Sequence, residues 1–168
     1  MGAQTSLQPD RKDVISALDA IRRMVRTLRT SATDIERSTG LSAAQTFVLQ
    51  LLADAPAESM NDLAARTLTD QSSVSVVVSR LEAKGLVARG QSPADARRTR
   101  VTITDTGRAR LAGRPVTVQA RLIRALDKLS PDALTQLGEH LTQLTALMGA
   151  AHEPPSLFFE EDDPSSST

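Results

Sequence analysis

Val14, Leu18, Ile21, Val25, Leu28, Ala32 and Ile35 step along the chain alternately by four and three. This is a heptad seam, narrower than the apolar stripe of an ordinary surface helix, and it predicts a long helix over residues 12–38 packed on other helices. Gly40 supplies the left-handed residue that ends it. A second seam, Leu134, Leu137, Leu141, Leu144 and Met148, follows Ser130-Pro131, an N-cap with proline at the first helical position. The chain therefore begins and ends with helices that need partners, and the segment between them is expected to be a compact unit.

Composition narrows what that unit can be. The 168 residues are 40% apolar, enough for one domain, but Phe47, Phe158 and Phe159 are the only aromatics. A core of Leu, Val, Ile, Ala and Met favours packed helices over a sandwich. The absence of cysteine excludes disulfides, thiolate metal sites and thiol switches, and fits a reducing compartment. MGAQTSLQPDRKD has no apolar centre and no later run approaches the roughly 18 apolar residues of a span, so a cytoplasmic protein without membrane contact is expected. His140 and His152 stand apart, and no nucleophile, phosphate loop or carboxylate pair completes a reactive group. No catalytic residue, metal or cofactor is expected, and the chain does not read as an enzyme.

The formal net charge of zero conceals a division. Residues 153–168 hold five acids and no base, whereas the rest carries 20 basic and 15 acidic residues. Residues 86–104 concentrate Arg89, Arg97, Arg98 and Arg100 against Asp95 alone. A local basic cluster of this kind points to nucleic acid.

Between the seams, Ser42 is an N-cap for a helix over 43–53 with Phe47, Val48, Leu51 and Leu52 on its apolar side. A short helix over 60–67 follows Pro56, capped near Ser59 or Asn61. Next comes DQSSVSVVVSRLEAKG, whose valines invite a strand. Four valines and four serines each disfavour a helix by up to about 0.7 kcal/mol relative to alanine. Val74, Val77, Val78 and Leu81 nevertheless fall at i, i+3, i+4 and i+7, and burying each contributes about 1.5 to 3 kcal/mol. Helix wins, capped by Thr69 or Asp70 and ended by Gly85. LVARG and TRVTIT then read as strands joined by the loop QSPADARR, a hairpin with a projecting tip. A helical pattern over 105–128 is kinked or restarted by Pro115.

Short helix, turn, second helix and basic hairpin make a winged helix-turn-helix, in which the second helix enters a major groove. Residues 62–111, DLAARTLTDQSSVSVVVSRLEAKGLVARGQSPADARRTRVTITDTGRARL, resemble the DNA-binding core of the MarR family of bacterial transcriptional regulators. Asp95-Ala96-Arg97-Arg98 matches that family's D-x-R wing signature, TRVTITDTG its strand and helix entry, and LSPDAL its entry into the last helix. The turn often holding Gly-Leu has Leu68-Thr69 here, and Val76 stands where a longer polar residue is common.

The resemblance implies a mainly α fold: a winged helix-turn-helix with a two-stranded β-wing, flanked by N- and C-terminal dimerisation helices. The expected division is a flexible N-terminus over 1–11 and a MarR-like domain over 12–152. Within that domain, 12–40 and 112–152 are dimerisation helices and 41–111 the winged core. A disordered acidic tail follows over 153–168. Function follows as a homodimeric, sequence-specific transcriptional regulator on double-stranded DNA, associated with the nucleoid. It is expected to be a repressor relieved by a small aromatic or lipophilic anion at a pseudo-palindromic operator. The other reading is a winged-helix module that binds protein and not DNA.

On the DNA reading, the helix displays Gln71, Ser72, Ser73, Ser75, Val76, Ser79 and Arg80. Gln71 can pair with adenine, Val76 can touch a thymine methyl, and the serines position more than they specify. In the wing, Arg97 at the tip would enter a minor groove, Asp95 orient it, and Arg98 and Arg100 meet phosphate, with Arg89 a further candidate. Arg22, Arg26 and Arg29 form a row beside the first seam, where the resemblance implies an effector carboxylate could be clamped.

Overall fold

The computed structural model describes residues 10–92 and 95–151, without the side chains of Asp95 and Ala96. The expected flexibility of 1–11 falls mostly outside these residues, and the expected acidic tail falls wholly outside them.

Helix α1 (Arg11–Thr39) starts at the N-cap Asp10 and stops where Gly40 turns left-handed, its N–H donating to Glu36 O. Helix α2 (Ala43–Asp54) is capped by Ser42 and buried on almost every side, with Phe47, Val48, Leu49 and Leu52 at its centre. The short α3 (Met60–Thr67) is capped by Ser59. It joins α4 (Gln71–Ala83) through Leu68, whose φ of 56° makes it the one non-glycine residue in the left-handed region among the described residues.

The valine question is settled by burial. Val74, Val77, Val78 and Leu81 are all fully buried in the core shared with α2 and α3. Asp70 is the N-cap, and Gly85 takes the positive φ that ends the segment.

Strands β1 (Val87–Ser92) and β2 (Asp95–Ile103) pair antiparallel. They run further than TRVTIT and LVARG suggest, so most of QSPADARR is strand and not loop. The reason lies in the register. Pairing holds from Val87↔Ile103 to Gln91↔Thr99, then shifts so that Ser92 faces Asp95, leaving 96–98 as extra residues on one strand. Arg97 and Arg98 thus sit on a bulge in β2 and not at the hairpin tip. The wing base is tied down by Ala57 and Val101, which exchange both backbone hydrogen bonds at 3.0 and 2.8 Å.

Helix α5 (Asp105–Leu111) is capped by Thr104 and lies close to the wing, since a Cβ on Gly107 would meet Leu86 O at 2.2 Å. The expected continuous helix over 105–128 is two helices. The chain leaves α5 at Ala112 and restarts only at Thr117, the N-cap of α6 (Val118–Leu126). Gln50 of α2 holds the break: its Nε2 donates to Pro115 O at 2.9 Å and its Oε1 accepts from Thr117 N at 3.2 Å. Helix α7 (Pro131–Leu147), capped by Ser130, has no buried residue. Both seams remain open within the single chain: Val14, Leu18 and Val25 of α1 and Leu134, Leu141 and Leu144 of α7 are all exposed.

Candidate nucleic-acid interface

The outward face of α4 is held by its own cap. Asp70 accepts from Ser73 N at 2.9 Å, from Ser72 Oγ at 2.6 Å and from Ser73 Oγ at 2.7 Å. These three donors hold its carboxyl well below the ordinary carboxylate range, so it stays ionised. Both serine hydroxyls spend their single proton on it, and what they present outward is lone pairs. Gln71 and Val76 are exposed, and Ser75 and Arg80 are half-buried. Ser79 Oγ donates to Ser75 O at 2.9 Å and accepts from Arg89 Nη2 at 2.8 Å.

The wing arginines divide into two groups. Arg100 Nε lies 3.0 Å from Glu58 Oε1, an ion pair whose N–H is not aligned for a hydrogen bond. The other Glu58 oxygen accepts from Ser92 Oγ at 3.0 Å, so one carboxylate holds both strands. Arg100 is therefore held by an ion pair within the domain. Arg89 is likewise turned inward, towards α4, with Nε 3.5 Å from Glu82 Oε2. Arg97 and Arg98 are exposed on the bulge. The orienting role expected of Asp95 concerns a side chain outside those described.

The arginines of the α1 row differ in their surroundings. Arg22 pairs with Asp19 at 2.9 Å on the open surface. Arg26 lines a cavity of about 480 Å³, shared with Thr30, Asp34, Pro115, Val116 and Arg121. A neighbouring apolar cavity of about 310 Å³ lies between Arg23, Met24 and Leu28 of α1 and Val118, Arg121 and Leu122 of α6. A third, of about 350 Å³, is lined by Phe47 and Gln50 with Arg66, Arg114 and Arg124. Arg121 borders two of these cavities and escaped sequence reasoning, because only the break at Pro115 brings α6 beside α1. Among the described residues no three His, Cys, Asp or Glu side chains gather as metal ligands, and no helix is long and apolar enough to cross a membrane.

A buried-face helix following a tight turn, with a two-stranded sheet beside it carrying exposed arginines, defines a winged helix-turn-helix. Comparison with known proteins places it more closely. Residues 39–98 match the MarR family model. An uncharacterized HTH-type transcriptional regulator of Bacillus subtilis, YdgJ, is 38% identical over 76 residues, covering 45% of this chain and 46% of that protein. The matched stretches span about half the length of the curated relatives. Sco3205, a MarR family transcriptional regulator from Streptomyces coelicolor solved in complex with DNA, aligns with a TM-score of 0.59 at 23% identity, covering 92% of this chain and 99% of that one. The transcriptional regulator BldR from Sulfolobus solfataricus aligns with a TM-score of 0.52 at 24% identity, over 83% and 99% respectively. The winged segment is thus similar to that of the MarR family of transcriptional regulators, and the chain as a whole shares the fold of these solved regulators.

Proposed function

We propose that this protein binds double-stranded DNA as a homodimer and represses transcription at a pseudo-palindromic operator until a small aromatic or lipophilic anion relieves it. The observation that carries the reading is α4 itself. Val74, Val77, Val78 and Leu81 are consumed by the core, and α4 turns outward a narrow face of small side chains, mostly polar with Val76 among them, beside a wing with Arg97 and Arg98 exposed. Short side chains let a helix backbone lie deep in a major groove, with Gln71 and Val76 reaching base edges. Arg97 enters the adjacent minor groove and Arg98 meets phosphate. The DNA-bound Streptomyces coelicolor protein shares this fold, which supports the same use of it.

Segments 12–40 and 112–152 form the dimer on this reading, because the seams of α1 and α7 leave apolar residues in water that a second copy would cover. The effector lies between α1 and the start of α6, where Arg26 and Arg121 border a cavity large enough for an aromatic acid.

Selection from random-sequence duplexes tests the proposal. A homodimer of this geometry recovers two inverted half-sites with centres about 34–36 Å apart, one helical turn. Recovery of no sequence, with no retention of bulk DNA at low salt, would leave the protein-binding module as the better reading.

A further inference from the structure

Arg89 stands on β1 opposite Val101, at the middle of the paired strands. Its guanidinium leaves the sheet and lies along α4. Nη2 donates to Ser79 Oγ at 2.8 Å and lies 3.5 Å from Ser75 O, and Nε lies 3.5 Å from Glu82 Oε2. Residues 75, 79 and 82 follow one another at i, i+4 and i+7, so the fork spans nearly two turns of one helix face. Ser79 has already given its proton to Ser75 O, and its oxygen is the seat on which the guanidinium rests.

We propose that Arg89 is a positioning residue that fixes the wing against α4, and that Ser79 and Glu82 serve DNA binding through Arg89 and not by touching DNA. The proposal rests on the DNA-binding reading above. A planar fork can hold a hydroxyl and a carboxylate at once, whereas a lysine ammonium is a point charge that satisfies phosphate equally well but cannot span both partners. Val87 and Val101 share the core with the buried valines of α4, and Glu58 holds the wing from α3's side through Ser92 and Arg100, so the contact at Arg89 adds the polar tie that orients the strands carrying Arg97 and Arg98 against α4.

The test uses full-length protein on the duplex that selection recovers, with affinity measured across a salt series for R89K, S79A, the double variant and R98A. R89K is expected to lose about tenfold in affinity with its charge retained and the salt slope unchanged. S79A alone should lose severalfold, and S79A added to R89K should cost nothing more. R98A, by contrast, should flatten the slope by about two, one phosphate being lost from each subunit of the dimer. S79A removes a hydroxyl from an exposed helix position and leaves the ion pair with Glu82 intact, so it carries the test even where R89K folds poorly. R89K binding like wild type, wild-type affinity in S79A, or losses that add in the double variant would overturn the proposal alone. A wild-type chain that retains no duplex removes the DNA-binding reading and this proposal with it.

Discussion

Leu68 carries a left-handed backbone with a side chain 72% exposed, so it bears the strain of the turn and contributes little packing in return. Leu68→Gly should stabilise the fold by about 1 kcal/mol, read as a raised urea midpoint with unchanged m. The sequence shows the residue where relatives of this kind often have glycine, but only the backbone angle shows that the turn keeps its shape and leucine bears the cost. Gly107 is the opposite case. A methyl there meets Leu86 O and Ile103 Cγ1 at 2.2 and 2.7 Å, so Gly107→Ala should destabilise by about 2 to 3 kcal/mol on the same measurement. Asp70 has a pH signature. Its carboxyl is held below the ordinary value of 3.8, so its stabilising effect is complete above that pH and is lost as the pH falls below it. The melting-temperature gap between the wild type and Asp70→Asn should therefore be constant near neutrality and narrow on acidification below pH 4. A gap that widens there would mean the capping carboxylate is not ionised.

At the scale of elements, what local pattern controls was legible. Caps at Ser42 and Ser130, the glycine stop after α1 and the four-residue inward face of α4 follow from spacing and side-chain chemistry over a few residues. What depends on residues distant in the chain was not. The wing arginines look alike in sequence, yet the carboxylates that hold Arg100 and Arg89, Glu58 and Glu82, lie outside the wing. The strand ends were missed because β-bridging past Gln91 depends on a register shift that composition does not encode. Pro115 announces a break in the helix, but the side chain that holds it is Gln50, 65 residues earlier. Because the Thr117 N–H that Gln50 accepts is buried, Gln50→Ala should destabilise by about 1 to 3 kcal/mol in urea denaturation, well above an ordinary glutamine truncation.

The whole molecule is organised around two open seams. Their heptad spacing in α1 and α7 signalled a need for partners, and the single chain leaves Val14, Leu18, Leu134 and Leu141 between 41 and 46% exposed. A second copy is the simplest cover, and two-fold symmetry would then set the two α4 helices at the spacing of successive major grooves. Introducing Leu18→Glu together with Leu141→Glu should therefore convert the proposed dimer to a folded monomer in sedimentation, with affinity for the proposed operator falling at least about a hundredfold as one half-site is lost. The proposed association with DNA through Arg97, Arg98 and their neighbours has a direct physical consequence, release of counterions from the phosphates they would neutralise. Three or four phosphates per subunit predict that the logarithm of the operator association constant falls against the logarithm of salt concentration with a slope of about −5 to −7. A slope near zero would contradict the DNA-binding account.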